Sequence, residues 1–353
     1  MTRFLANSEW FGDLGTASLR LLPAEIAHDI GLKLLASKHR RHFVPSVDLS
    51  SFSQMSMNVP GIGELHHPIG LAAGFDKNAM APSGFRSLGL SFLEVGTVTP
   101  RPQPGNPKPR MFRYPEQKAI INRMGFNSDG SDKVERQLKN LHWMHSDAPL
   151  GVNVGKNKDT TESNAIDDFN RGIEVFHELA KYIVINISSP NTSGLRNLAN
   201  REFIEALARH NKSLLHKIWF KLDPDMEKQH FQDLIESIGD AGFQGLILSN
   251  THKVSWPEAG GQSGHPIQGL SNRALELAWE VHRGELPTIA SGGILSGIDI
   301  LEKVRRGADA VQIYSALVYR GPFAVLKLLR ELEAEMSLQK IAFLSDAKGS
   351  YYL

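Results

Sequence analysis

The residues of this chain that could do chemistry fall at the ends of short apolar runs. In order they are Asp76-Lys77, Thr97, Asn153, Asn186 with Ser188-Ser189, Lys221, Asn250-Thr251, Gly292-Gly293 and Tyr314-Ser315. A lysine stabilises negative charge that develops in a reaction, and an asparagine amide offers a ring both a donor and an acceptor. Paired glycines let backbone N–H groups approach an anion closely. One polar residue at a run's end is more often a helix cap than a ligand, but eight such ends are hard to explain by capping alone. A single polar site is expected. The 353 residues include no cysteine, which removes disulfides, thiolate metal sites, iron–sulfur ligation and a cysteine base. Proton transfer is left to Ser, Lys, His, Tyr or a carboxylate.

The runs themselves are Pro68–Ala73, Ser91–Val95, Leu150–Val154, Ile183–Ile187, Ile218–Leu222, Gly245–Leu248, Pro287–Ala290 and Asp309–Tyr314. Near-continuous apolarity suits parallel strands buried on both faces. Amphipathic segments between them, Asp168–Ala180, Arg201–Leu215, Lys228–Ala241, Ser271–Arg283 and Gly297–Arg306, predict helices. Eight alternating units predict a (β/α)8 TIM barrel, with an open doubly wound sheet as the runner-up. In a barrel the polar ends converge on the C-terminal mouth, and phosphate commonly binds after strands seven and eight. Ser291-Gly292-Gly293 with Tyr314-Ser315 fits such a cradle, so a ligand with a phosphate tail and a planar ring, as FMN has, is expected. Composition is ordinary for a globular protein, 41% hydrophobic and 22% charged with formal net charge +1. No polyanion such as nucleic acid is implied. No stretch approaches the roughly 20 apolar residues of a membrane span, and residues 1–10 lack a secretory pattern.

Several motifs are similar to those of the dihydroorotate dehydrogenase family. They are Ala72-Ala73-Gly74-Phe75-Asp76-Lys77, Glu94-Val95-Gly96-Thr97-Val98-Thr99-Pro100, Ile121-Asn122-Arg123-Met124-Gly125-Phe126-Asn127, Asn186-Ile187-Ser188-Ser189-Pro190-Asn191-Thr192 and the segment from Pro102 to Arg110. The resemblance runs from about Leu21 to Pro322 in the family's order. It implies FMN as the flavin, one per chain, and oxidation of dihydroorotate to orotate in pyrimidine biosynthesis. The family's cytosolic class uses a cysteine base, absent here; the quinone-linked class uses serine, and Ser189 falls at that position.

The resemblance further implies that Ser189 takes a proton from carbon 5 of the substrate, with Thr192, Phe126 and water relaying it. It puts Lys77 beside flavin and substrate. Asn122, Arg123, Met124, Gly125, Phe126, Asn186, Asn191, Asn250 and Thr251 are the implied substrate contacts. Ala73, Gly74, Thr97, Asn153, Asn186, Lys221, Ser249, Gly264, Gly293, Tyr314 and Ser315 are the implied cofactor contacts, and no metal is expected. The chain departs from the family pattern at Asp223, Ser249, His252, Gln262, Ala290-Ser291 and Leu19. A related FMN barrel oxidoreductase on another pyrimidine-like substrate, or a catalytically silent flavin-binding paralogue, are the competing readings.

Residues 1–45 read as a separate helical extension ahead of the barrel at 46–340, with 341–353 as a tail. Leu21-Leu22-Pro23-Ala24-Glu25 marks a helix start, Ile26, Ile30, Leu34 and Leu35 share a face, and Trp10, Phe11 and Leu14 add apolar surface upstream. Lys38-His39-Arg40-Arg41-His42 is a basic cluster. A helical pair at a bilayer surface and a hairpin packed on the barrel fit equally. The resemblance favours the first, with His28, Arg113 and Tyr314 lining a quinone site. The chain is then expected to sit peripherally on the cytoplasmic side of the cell membrane, with no obligatory protein partner.

Overall fold

The computed structural model of the chain describes residues 15–37, 50–141, 148–188 and 195–353. In chain order its strands are β1 (Met57–Val59), β2 (Gly63–Leu65), β3 (Ile69–Leu71), β4 (Phe92–Val98), β5 (Met111–Tyr114), β6 (Ala119–Asn122) and β7 (Leu150–Val154). There follow β8 (Tyr182–Asn186), β9 (Ile218–Lys221), β10 (Gly245–Leu248), β11 (His252–Val254), β12 (Gly260–Gly264), β13 (Thr288–Ser291) and β14 (Ala310–Ile313). Residues 15–20 are helical (α1). The remaining helices are α2 (Ala24–Ala36), α3 (Pro82–Ser87), α4 (Ser131–Asn140), α5 (Ala165–Phe176), α6 (Arg201–His210), α7 (Lys228–Asp240), α8 (Gln268–His282), α9 (Gly297–Arg305), α10 (Ser315–Arg320) and α11 (Ala324–Leu338).

Eight parallel strands close into the expected barrel, in the order β10-β13-β14-β3-β4-β7-β8-β9. Every residue of these eight strands is buried, because helices cover the outside and side chains fill the inside. The helix segments lie where their periodicity predicts, with shifted ends. The fifth helix starts at Ala165 and stops at Phe176, and the stretch after His210 tightens into a 3-10 turn at Leu215–Lys217. Ser296 caps α9 in a reciprocal box with Asp299.

Three barrel contacts share one shape. Gly70 of β3 is the register partner of Phe92, Gly151 of β7 of Tyr182, and Gly245 of β10 of Trp219. A Cβ on any of these glycines would fall 2.2–2.6 Å from the partner's ring. The three rings belong to an inner cluster with Val59, Ile62 and Leu65. These last come from the antiparallel β1–β2 hairpin, which closes the end of the barrel where the strands begin.

Two features escaped the sequence reading. One is that hairpin; the other is a four-stranded antiparallel sheet, β11-β12-β6-β5, built from the segments after β4 and β10. Its strands are short, and β12 reads Gly-Gly-Gln-Ser-Gly, which has no apolar alternation to detect. The expected tail, residues 341–353, is folded against α8 and α9: Leu344 and Ala347 are buried, and Tyr352 stacks on Trp279 with ring centroids 4.8 Å apart.

Helix α2 packs onto the barrel at one edge and is bare at another. Its Leu35 carbonyl approaches Gly84 of α3 so closely that a Cβ there would lie 2.4 Å from the oxygen. Arg110 donates to Glu25 at 2.8 Å, and Arg113 donates to the Leu22 carbonyl. Leu21, Leu22, Ile26, Ile30 and Leu34 are exposed. One edge of the helix thus docks on the barrel and the other faces outward. Among the described residues no helix is long and apolar enough to cross a membrane. Trp10, Phe11, Leu14 and the basic cluster at 38–42 lie outside the described residues.

The glycine–ring pairs give a direct test. Gly151→Ala forces a methyl into the Tyr182 ring and should destabilise the chain by about 1–3 kcal/mol, the usual cost of overpacking. Denaturant unfolding measures it, and an unchanged midpoint would show that the pair yields freely.

Candidate active site at the barrel mouth

The strand ends surround a cavity of about 1120 Å3 including its open mouth. Of the residues singled out from sequence, Ala73, Gly74, Lys77, Thr97, Asn122, Met124, Gly125, Phe126, Asn186, Lys221, Ser249, Asn250, Thr251, Gly264, Gly293, Tyr314 and Ser315 line it. Met111 and Ile120 of the four-stranded sheet form part of the wall, so the sheet narrows the mouth. Ser189, Asn191 and Thr192 lie outside the described residues.

Other sequence-predicted residues stand behind the wall or away from it. Asn153 is fully buried and accepts from Thr97 Oγ1 at 2.6 Å. It works on the cavity only through Thr97 and Asn186, whose Nδ2 donates to both at 3.0 and 3.1 Å. Arg123 turns outward: it donates to Glu258 at 2.7 Å and lies over the Phe112 ring at 4.6 Å. His28 and Arg113 are outside the cavity lining. His28 packs on Phe75 at 5.0 Å between centroids, and Phe75 packs on Tyr314 at 4.8 Å. A line of three rings therefore joins α2 to the cavity wall.

The floor is a polar network inside an apolar barrel. Glu94, fully buried on β4, accepts from Asn153 Nδ2 at 2.8 Å and from Gln312 Nε2 at 2.5 Å. Burial raises the Glu94 carboxyl above its usual range, and the nearby Lys221 ammonium opposes that rise. Burial lowers Lys221, and Glu94 holds it up. Lys221 has no hydrogen-bond partner among the described residues, and the Gln312 Oε1 atom is buried without one. Glu94 and Gln312 carry no role in the sequence reading. Their signal was a charge and an amide inside runs that are otherwise apolar, Phe92–Val98 and Ala310–Ile313.

The rim adds a second cation. Lys77 donates to the Gly74 carbonyl at 2.8 Å. Burial lowers its ammonium to about 8, with Arg110 adding repulsion and Glu25, Asp29 and Asp76 opposing. Asp76 is structural, accepting the Met80 and Ala81 N–H groups at 2.8 Å each and so fixing the turn that carries Lys77. His28 is pushed down to about 3 by burial and by Lys77, so it is neutral at ordinary pH. Ser188, next to the predicted base, is fully buried; its Oγ donates to Asn186 Oδ1 and accepts from Asn250 Nδ2, each at 2.9 Å. At the far side, Gly292 and Gly293 take φ of 109° and 75°, and a Cβ on Gly293 would strike Gln268 at 2.3 Å. Only glycine fits there.

The donor set fits a planar ring with a phosphate tail. Lys221 offers N–H donors and Gln312 an unpaired amide oxygen to a ring edge, and the glycine turn offers backbone N–H groups to an anion. Two of the departures are linked: Asp223 accepts the Asp225 N–H at 3.0 Å, and Asp225 binds His252 and the Lys253 N–H. They fasten the loop after β9 to β11.

The sequence model of the family described as dihydroorotate dehydrogenase matches residues 54–336. A mitochondrial dihydroorotate dehydrogenase (quinone) of Mus musculus is 38% identical over 352 residues, covering 94% of this chain and 87% of that one. The dihydroorotate dehydrogenase (quinone) of Rhizobium rhizogenes is 37% identical, covering 96% of each. A crystal structure of DHODH from Eimeria tenella in complex with ferulenol superposes with a TM-score of 0.85 at 37% identity, covering 93% of this chain and 95% of that one.

Removing one partner of a buried charge pair leaves the other uncompensated. Glu94→Ala should therefore destabilise the chain by about 3–5 kcal/mol, read by denaturant unfolding. A loss below about 1 kcal/mol would mean that Lys221 is balanced by other groups.

Proposed function

This chain belongs to the dihydroorotate dehydrogenase family, and we propose that its barrel mouth holds one FMN per chain, with the substrate ring beside Lys77 and the asparagines. The reaction is the oxidation of dihydroorotate to orotate in pyrimidine biosynthesis, with a flavin cofactor and a quinone as electron acceptor. The observation that carries the FMN assignment is the placing of the Lys221 ammonium and the unpaired Gln312 oxygen across one cavity from the Gly292-Gly293 turn. Ala73, Gly74, Lys77, Thr97, Asn186, Lys221, Ser249, Gly264, Gly293, Tyr314 and Ser315 would hold the cofactor, Asn153 bracing Thr97 and Asn186. When bound, the flavin supplies the acceptor for the hydride that leaves carbon 6 of the substrate.

The chain's own residues supply the rest. Ser189 removes the proton from carbon 5, and Thr192, Phe126 and water carry it away. A serine with an ordinary side chain is a poor base, so the step depends on a site closed to bulk water. Phe126 closes one side: with φ of 52° it turns its ring against Gly155, where a Cβ would lie 2.9 Å away. Lys77, where charged, balances the substrate carboxylate and the negative charge left on the substrate as the carbon 5 proton departs. Lys221, on the floor, would offset negative charge on the reduced flavin. Asn122, Asn186, Asn191 and Asn250, with Thr251 and the backbone of 123–126, hydrogen-bond the pyrimidine ring and its carboxylate. Arg123 serves through its backbone, since its side chain is held by Glu258.

The quinone arrives at the opposite flank, between α2 and the barrel, where His28, Phe75 and Tyr314 line the approach and Arg113 fixes the Leu22 carbonyl. Leu21, 88% exposed, and Ile26, 51% exposed, are the surface that meets lipid, from the cytoplasmic face of the membrane.

Anaerobic mixing with dihydroorotate should bleach the flavin absorbance, and extraction should yield about one FMN per chain. A yellow protein that does not bleach would favour a silent flavin-binding paralogue. Ser189→Ala should slow bleaching by about 10²–10⁴-fold with flavin content retained; unchanged kinetics at saturating substrate would move the base elsewhere.

Deleting residues 1–45 would also unpair Arg110 from Glu25, so charge substitution is the cleaner test of the membrane face. Ile26→Glu with Ile30→Glu should weaken vesicle binding and reoxidation by a long-tailed quinone, while anaerobic bleaching keeps its rate. Unaltered quinone turnover on vesicles would place the lipid contact on another surface.

A further inference from the structure

We propose that Lys303, a buried lysine of α9, is a positioning residue that sets a cation behind the Ser291–Gly293 turn and so selects a phosphate-bearing flavin. The inference rests on the reading of that turn as the phosphate end of the FMN site. Lys303 has no exposed surface, and no carboxylate lies within ion-pair distance of it among the described residues. Its ammonium donates to Ser271 Oγ at 2.8 Å. That hydroxyl has a single proton and donates it to the Ser291 carbonyl at 2.9 Å, so the chain of bonds has one direction, from ammonium to hydroxyl to turn. Ser271 also stands directly behind the next residue: a Cβ on Gly292 would be 3.5 Å from Ser271 Cβ.

A buried ammonium with one acceptor is costly, and a methionine of similar length would fill the same space without that cost. Packing therefore does not account for a lysine here, whereas an anion on the other side of the turn does. The local carboxylates support its charge only from a distance, Asp299 most strongly. Asp299, one helical turn earlier, is occupied by the Leu295 and Ser296 N–H groups and by Gln268. Those bonds bring its negative charge close to the turn, where it would repel a phosphate. Lys303 offsets it. Of the other charged groups facing Lys303, Glu276 of α8 supports its proton and Arg306, just past α9, opposes it. Burial lowers the lysine to about 7, so it carries its charge below neutrality and gains a proton when an anion binds.

The test reconstitutes the full chain with FMN and with riboflavin, which share the ring but not the phosphate, and follows fluorescence quenching. Wild-type protein should prefer FMN. Lys303→Met should reduce that preference by on the order of 10-fold or more, as expected for losing one buried charge near a dianion, while riboflavin affinity stays the same. Ser271→Ala, which keeps the charge and breaks the bond chain, should give a smaller loss of the same kind. In wild-type protein the preference should fall as pH rises from 7 to 9, a range in which the phosphate is already doubly ionised. Lys77 also titrates there, but both flavins present it with the same ring, so its effect cancels in the ratio. Equal losses for both flavins would reduce Lys303 to a structural role and overturn the proposal, as would an unchanged preference. If the methionine variant does not fold, a flat wild-type pH profile overturns it alone. A wild-type protein that binds both flavins equally would remove the phosphate reading of the turn, and this proposal with it.

Discussion

Glu94 and Lys221 carry opposite charge inside a barrel whose strands are otherwise buried and largely apolar. Neither charge is tolerable there alone. The carboxylate gathers Asn153 and Gln312, Asn153 orients Thr97, and Asn186 bonds both. The network thus runs from β4 through β7 and β8 on one side and to β14 on the other. Four strands are held at fixed distances by buried hydrogen bonds. That rigidity is what a site for hydride and proton removal needs, because misplacement by an ångström is expensive in rate.

The outer parts depend on the same arrangement. Lys77 stands on a turn fixed by Asp76, and its charge acts on His28 of α2 more strongly than any other. Phe75, its neighbour in sequence, carries contact from His28 to Tyr314. A single loop therefore presents one face to the substrate side of the cavity and another to the helical extension. The extension is fastened through Arg110 and Gly84 rather than through the cavity itself, which leaves its apolar edge free to face outward.

Much of this was legible in the sequence, and the misses have physical reasons. Eight apolar runs with helices between them specify a barrel because burial on both faces erases alternation. The cavity residues are legible because eight polar run ends together exceed what helix capping explains. Glu94 sits inside a motif without a legible role, because a sequence does not show that Gln312 and Lys221 are its neighbours from 218 and 127 residues away. The roofing sheet was missed because β12 is built of glycine and small polar residues, whose strand character comes from its partners β6 and β11. Arg123 was transferred with its motif, yet the hairpin that holds its side chain is formed by residues far downstream.

The three glycine–ring pairs have a consequence for assembly. A one-residue slip between two strands moves every side chain to the opposite face. At Gly70, Gly151 and Gly245 the correct alignment sets a hydrogen atom under an aromatic ring, and any neighbouring alignment brings up a side chain there. The rings act as gauges of alignment at three seams of the closing cylinder. A cylinder has no free edge at which an error in one seam can be absorbed, so each gauge constrains all eight strands. Phe92, Tyr182 and Trp219 also meet the β1–β2 hairpin, which can seat only when all three point inward. Proofreading of register and closure of the far end are thus the same event.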